Sequence, residues 1–191
     1  MSEPSLVEPQ RRALLQSAAG LAMAGLAADA AGAALPAPPQ GKAGDFDFLA
    51  GHWKISHRRL KKVGSDDWDV FQGEATCWTI LGGVGSVEEL RIPARAFSGM
   101  GLRLLDVEKK LWSDFWVNGK SGVLTTPGMN GGFENGVGTF VAEERDAADK
   151  PIAVRGVWDR ITPTSCRWHQ AASSDGGRTW AADWFMDWTR A

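Results

Sequence analysis

From residue 45 onward, apolar and polar residues alternate with the period of two that is typical of β-strands. A helical period is almost absent, and clusters of Gly, Asn, Asp and Pro interrupt the alternation about every 10–15 residues, as in all-β domains. Only Asp45–Ala50 is compatible with a helical turn. The predicted strands are His52–Lys61, Asp69–Ile80, Val84–Ile92, Met100–Val107, Lys110–Val117, Ser121–Thr126, Phe133–Arg145, Ile152–Ile161, Ser165–Ser173 and Arg178–Thr189.

The connections between these strands are short and resemble hairpin turns. Gly82-Gly83 and Asn118-Gly119 can supply the positive φ angles that tight turns need. About ten sequential strands joined in this way predict a single antiparallel up-and-down β-barrel, since closure removes the exposed edges of an open sheet. A two-sheet sandwich is the alternative.

Residues 1–33 have the order of a secretory signal, with basic, then apolar, then small residues. The pair Arg11-Arg12 precedes two leucines and resembles the twin-arginine export signal. This resemblance implies recognition of the precursor by the twin-arginine export machinery and a periplasmic or secreted mature protein. Cleavage is expected after Ala30 or Ala33, and an uncleaved anchor helix or plain Sec export are the alternatives.

The remaining chain divides into a flexible leader, residues 34–44, and the barrel domain, residues 45–191.

Two of the 21 basic and three of the 23 acidic residues lie in residues 1–33, so the remainder carries a formal charge of −1. A nearly neutral domain has no general attraction for polyphosphate, so nucleic acid is not an expected partner. Beyond the N-terminal segment, no apolar run reaches the roughly 18–20 residues of a membrane span.

A Gly-x-Trp motif, Gly51-His52-Trp53, opens the first predicted strand directly after a short apolar turn. It is similar to the start of lipocalin-like (calycin) barrels. The resemblance implies that the Trp plugs one end of the barrel and that an arginine near the end of the last strand packs across it. Arg190 stands in that place.

The chain from Phe46 to its end also resembles a large bacterial family described as domain of unknown function 1579-like. This resemblance implies a fold and almost nothing about activity. It is carried by Phe48–Trp53, Gly82–Glu89, Leu104–Asp106, Leu111–Ser113, Phe133–Gly138 and the C-terminal hairpin.

Strand alternation predicts which side chains face the interior, because successive side chains point to opposite faces. In the last strand, the face predicted to be interior carries Trp180, Ala182, Trp184, Met186 and Trp188, with Asp183 and Asp187 on the other face. In the two preceding strands, the residues predicted inward are Cys166, Trp168 and Gln170, and Ile152, Val154 and Trp158, whereas Arg155, Asp159, Arg167 and His169 are predicted outward.

In the first strand the same rule turns His57 and Arg59 inward, where buried charge is costly without a partner. The partner is either a carboxylate such as Glu88 or the anion of a ligand, for which Arg supplies planar, two-pronged donors. Alternatively the strand leaves the barrel by residue 57 and both side chains are solvated. The predicted ligand-binding residues are His57, Arg59, Glu88, Trp116, Trp158, Trp168, Gln170 and Trp184.

Three further motifs have structural interpretations. Cys77 and Cys166 are the only cysteines and form either a disulfide or two buried free thiols. Ser173–Trp180 matches the Asp-box of sialidases, which predicts a local hairpin rather than glycosidase chemistry. The three histidines lack zinc-site spacing. One of them could ligate haem, as in nitrobindin barrels, although Lys54–Ser56 replaces the glycines that those barrels carry.

The sequence therefore favours an exported lipocalin-like barrel that binds a small apolar or amphipathic molecule, with an acidic ligand as one form. No cofactor or metal is expected. The first alternative is a cofactor-free isomerase or lyase on the same barrel, with His57 and a nearby carboxylate as acid and base. Two others are a haem-binding barrel and a structural envelope protein with a filled interior.

Overall fold

The computed structural model describes residue 35, residues 37–146 and residues 148–191. These residues form ten antiparallel strands that close into one barrel. The strands are β1 (Gly51–Leu60), β2 (Trp68–Ile80), β3 (Gly85–Ile92), β4 (Phe97–Asp106), β5 (Leu111–Asn118), β6 (Met129–Glu134), β7 (Val137–Arg145), β8 (Pro151–Asp159), β9 (Ser165–Ser173) and β10 (Ala181–Arg190).

Each strand pairs with the next along the chain, and β1 closes the barrel against β10. The predicted up-and-down barrel is therefore confirmed, and the sandwich alternative is wrong. The predicted inward orientation of Trp53, Ile55 and His57 in β1 is also confirmed. All three side chains are buried, whereas the residues between them are exposed. The predicted signal segment, residues 1–33, lies outside the described residues.

Two predicted strands differ from the observed ones. The segment 121–126 is not a strand, and only Leu124 makes an isolated bridge, to Val117 of β5. The predicted strand 133–145 is two strands, because Asn135 and Gly136 both take positive φ angles and turn the chain between β6 and β7. The total of ten strands is thus correct although two of its members were wrongly placed.

Both predicted glycine turns are present, although they differ in detail. In the first, both Gly82 and Gly83 take positive φ between β2 and β3. The second is present as a turn at residues 119–121, where the backbone amides of Ser121 and Gly122 donate to the Asn118 carbonyl. Its positive φ lies at Gly122 rather than Gly119, and the turn belongs to a ten-residue connection, 119–128, to β6. The predicted helical turn is present as a short 3₁₀ turn, Asp47–Leu49.

One end of the barrel, called here the closed end, is capped by this turn and by Trp53. The Trp53 indole donates a hydrogen bond to the Leu49 carbonyl at 2.6 Å, and the Arg190 guanidinium lies 4.1 Å from the Trp53 ring centroid. The guanidinium also donates to the carbonyls of Phe48, at 2.8 Å, and Ala50. The predicted stacking of Arg190 on Trp53 is confirmed, and its hydrogen bonds tie the last strand to the cap.

A β-bulge between Ala182 and Trp184 changes the face that the start of β10 presents. Ala182 pairs with the outward-facing Ala171, and Trp180 packs beside the outward Arg155, 4.4 Å from its ring centroid. The predicted inward orientation of Trp180 and Ala182 is therefore wrong. Beyond the bulge, Trp184, Met186 and Trp188 face inward as predicted.

The other sequence motifs have local structural roles. Cys77 and Cys166 are both buried and free, and burial raises the pKa of both thiols. The Asp175 carboxylate accepts hydrogen bonds from the Thr179 hydroxyl at 2.6 Å and from the Thr179 backbone at 2.9 Å, which closes the β9–β10 hairpin and lowers the pKa of Asp175. Within the described part of the chain, no helix is long and apolar enough to span a membrane.

Candidate ligand-binding site

The inner surface of the barrel changes along its axis. Near the closed end the inward aromatic residues Trp53, Trp112, Trp158 and Trp188 are at most 1% exposed. Towards the opposite, open end, the inward rings of Trp116, Trp168 and Trp184 are only partly buried. Because these rings point into the barrel, their exposed surface borders an accessible interior space. We call this space the cup.

His57 stands at an inward position of β1 and is completely buried, so it has no surface open to the cup. Its ring stacks on Phe71 at a centroid distance of 4.5 Å, and its Nδ1 accepts a hydrogen bond of 3.3 Å from the Trp184 indole. Burial, and to a lesser extent the Arg95 guanidinium, lowers the pKa of His57 to about 4. The imidazole is therefore neutral at pH 7, and the interpretation in which His57 is solvated is wrong.

Space for this imidazole depends on a glycine in the neighbouring strand. A Cβ at Gly73 would lie 2.6 Å from His57 Nε2 and 3.1 Å from the Arg91 carbonyl oxygen. Since Nδ1 accepts a hydrogen bond, Nε2 carries the proton of the neutral ring. Nε2 has no hydrogen-bond partner among the described residues.

Two guanidinium groups lie at the open end of the cup. Arg95 packs on the Phe71 ring, 3.5 Å from its centroid, and forms an ion pair of 2.8 Å with Asp69. Arg59 lies 5.0 Å from the centroid of the Trp184 ring, and burial lowers its pKa. Within the described part of the chain, no ion pair or hydrogen bond engages the Arg59 guanidinium.

The β10 bulge brings a further carboxylate to the cup. Gln170 of β9 faces inward and its amide donates to both carboxylate oxygens of Asp183, at 3.3 and 3.4 Å. Burial raises the pKa of Asp183, whereas the Gln170 hydrogen bond and the Arg59 charge oppose this shift. The predicted outward orientation of Asp183 is therefore wrong, and strict alternation contained no signal of the bulge.

A buried charged cluster lies beneath the cup. Glu88 forms an ion pair of 2.5 Å with Arg103, whose Nε lies 3.5 Å from an Asp114 carboxylate oxygen. The Arg103 guanidinium is flanked by the rings of Phe46 and Trp158, at 5.2 and 5.3 Å. Although burial disfavours its charge, the two carboxylates raise the pKa of Arg103. We call Glu88, Arg103 and Asp114 the floor cluster.

The floor cluster corrects one prediction. Glu88 does face inward, but its partner is Arg103 rather than His57 or Arg59. Sequence alternation could have identified Arg103 and Asp114, because each stands at an inward position of a predicted strand. Neither residue is among the predicted ligand-binding residues.

The predicted ligand-binding residues thus fall into two groups. The wall of the cup contains Arg59, Trp116, Trp168, Gln170 and Trp184, whereas His57, Glu88 and Trp158 are buried. Residues that the prediction omitted are Asp69, Phe71, Arg95, Arg103, Asp114 and Asp183.

No family model and no curated protein matches the chain. Among solved structures, it is similar to a redesigned β-barrel, at 9% identity and a TM-score of 0.42, over 79% of this chain and 98% of that one. It is also similar to EF1p2_mFAP2b bound to DFHBI, at 12% identity and a TM-score of 0.39, over 78% of this chain and 98% of that one.

A third similar structure is a protein of unknown function from the DUF3598 family of Nostoc punctiforme, at 9% identity and a TM-score of 0.40. The similarity covers 80% of this chain and 51% of that one. The resemblances to calycins and to the domain of unknown function 1579-like family remain predictions.

Proposed function

We propose that the barrel binds a small amphipathic molecule with an acid group, which enters the cup through the open end. The observation that carries this proposal is that the Arg59 guanidinium lacks a counter-charge in direct contact. This guanidinium faces the interior, rests on the Trp184 ring and forms no ion pair with a described residue. A partly buried cation of this kind is stabilised by an anionic ligand.

The other charges of the open end favour Arg59 as the ligand's partner. Arg95 already pairs with Asp69, and the nearby Asp183 carboxylate accepts hydrogen bonds from Gln170. The adjoining indole rings offer the apolar surface that the rest of the molecule requires. Aromatic walls with a few placed polar groups are typical of small-molecule sites.

The alternatives have less support from the geometry. An acid–base mechanism at His57 would need a carboxylate beside its imidazole, but that ring stacks on Phe71, lies against Gly73 and accepts a hydrogen bond from Trp184, and no described carboxylate forms an ion pair with it. Haem ligation would need an imidazole nitrogen that faces open space. Nε2 instead lies against Gly73, and Nδ1 already accepts a hydrogen bond from Trp184.

The N-terminal pattern supports the further proposal that this binding takes place outside the cytoplasm. Its arginine pair and its small-residue segments resemble those of an exported precursor. The mature protein would then meet its ligand in the periplasm or the surrounding medium.

The proposal is tested by titrating decanoate, below its micellar concentration, against the tryptophan fluorescence of the wild type, Arg59→Ala and Arg58→Ala. Arg58 is the matched control, because it follows the same strand but lies outside the barrel, stacked on Trp68 and Phe185. A charge-assisted hydrogen bond contributes about 1.5–3 kcal/mol, so Arg59→Ala should weaken binding by about tenfold or more. Arg58→Ala should bind as the wild type does.

Decanol separates the acid group from the apolar chain in the same assay. Its affinity should be equal in the wild type and in Arg59→Ala, because it carries no charge for the guanidinium to bind. Equal affinity of both proteins for decanoate would refute the role of Arg59. Failure of both decanoate and phenylpropanoate to bind the wild type would refute the acid-binding site itself.

A further inference from the structure

The apolar inner surface of the cup is formed by indole rings rather than by aliphatic side chains. Near the open end, the inward aliphatic residues Ile92 and Ile152 are at most 5% exposed. The inward rings of Trp116, Trp168 and Trp184 are only partly buried. The apolar surface that a molecule in the cup would contact is therefore mainly aromatic.

Two glycines give these rings space along the wall. A Cβ at Gly99 would overlap the ring of Trp116, and a Cβ at Gly156 would lie 3.0 Å from Trp168 Nε1. Each glycine stands at an inward position of the strand beside its tryptophan. The rings thus lie over the neighbouring strands and leave the centre of the cup open. Barrels of about eight strands already enclose one small ligand, and ten strands make a wider barrel.

Two of the rings form a corner. The rings of Trp168 and Trp184 are perpendicular, at an interplanar angle of 89°, and their centroids are 5.7 Å apart. A planar aromatic ring that stacks on one of these indoles presents its edge to the other, and both arrangements are favourable for aromatic pairs. A saturated ring or an alkyl chain has no π system, so it gains from the same walls only the burial of its apolar surface.

The acid-binding arginine stands at this corner. The Arg59 guanidinium lies 5.0 Å from the centroid of the Trp184 ring. The Trp184 ring is itself held in place, because its indole donates a hydrogen bond to His57 Nδ1 at 3.3 Å. A carboxylate on Arg59 and an aromatic ring in the corner can therefore belong to one small molecule with a short linker between them.

We infer that the ligand is a planar aromatic acid, with its carboxylate at Arg59 and its ring between Trp168 and Trp184. This inference rests on the proposed acid-binding function. A fatty acid would satisfy Arg59 equally well but would form no aromatic pair with the corner.

The test compares 3-phenylpropanoate with 3-cyclohexylpropanoate by isothermal titration calorimetry. The two molecules share the acid, the linker and the number of ring carbons. The cyclohexyl ring has the larger apolar surface, so burial alone would make the saturated acid bind more tightly. Pairing with two indoles should reverse this order and make phenylpropanoate bind about tenfold more tightly. 2-Naphthylacetate and its decahydro derivative form a second, larger pair, and the expected order in either pair supports the inference.

Variants of one corner residue show whether the preference arises at the proposed place. Trp168→Leu should reduce it to less than about twofold, and Trp168→Phe, which keeps an aromatic ring, should retain most of it. Trp78→Leu is the matched control, because Trp78 is 47% exposed on the outer face of β2, and it should keep the full preference. Circular dichroism verifies that the variants are folded, and the wild-type comparison does not depend on any of them.

The outcomes separate this inference from the proposed function. Equal or tighter binding of the saturated acid in both pairs would overturn the inference, but acid binding at Arg59 would stand. A full aromatic preference in folded Trp168→Leu would overturn it as well. If none of these acids binds the wild type, decanoate included, both proposals are refuted.

Discussion

Protonation of His57 should destabilise the barrel in mild acid. The imidazole is fully buried between Phe71 and Trp184 and accepts a hydrogen bond from the Trp184 indole. Burial, with a smaller contribution from Arg95, lowers its pKa from 6.5 to about 4. In the unfolded chain the imidazole regains its ordinary pKa.

Proton linkage gives the sign and size of this effect. Between pH 6.5 and about 4, the unfolded chain binds a proton at His57 that the folded protein excludes, so the free energy of unfolding falls as the pH falls. Above this window neither state is protonated, and the stabilisation is fully present. One unit of pKa difference corresponds to about 1.4 kcal/mol, so the total loss approaches about 3 kcal/mol at the acidic end.

Urea unfolding of the wild type and His57→Gln, at about pH 7 and about pH 5, measures the effect through tryptophan fluorescence. The wild type should lose about 2 kcal/mol more than His57→Gln between these two conditions. Subtracting the loss of His57→Gln from that of the wild type removes the contribution of carboxylates, because these titrate in the same way in both proteins. His52→Gln is the control, because His52 lies exposed on the outside of the same strand and its replacement should preserve the wild-type loss. An equal loss in the wild type and His57→Gln would refute a buried neutral imidazole.

Three further outcomes can be measured. Trp53→Ala removes the indole that caps the closed end and should lower the free energy of unfolding by about 3–5 kcal/mol, and an unchanged thermal midpoint would argue against the cap. Glu88→Leu should cost about 3 kcal/mol because it removes the closest counter-charge of the buried Arg103, and the double variant Glu88→Leu/Arg103→Met should cost less. Replacement of both Arg11 and Arg12 by Lys should leave the precursor inside the cell, whereas normal export would disprove twin-arginine transport.

The sequence alone predicted the barrel and the orientation of most strand residues. The alternation of side chains is a local property of extended backbone, so Trp53, Ile55 and His57 could be assigned to the interior without knowledge of any partner strand. The stacking of Arg190 on Trp53 was expected from a motif resemblance rather than from alternation. It is correct because both residues lie where β1 and β10 pair at the closed end.

Only the tertiary structure decided how the buried charges are arranged. Glu88 pairs with Arg103 because the β3–β4 register brings their side chains together, and no local pattern encodes that register. The bulge in β10 likewise turns Asp183 towards Gln170, because one extra residue reverses the face of everything before it. Period-two alternation is set by neighbouring residues along the chain, but the partner of a charge and the place of a bulge depend on strands that meet only when the barrel closes.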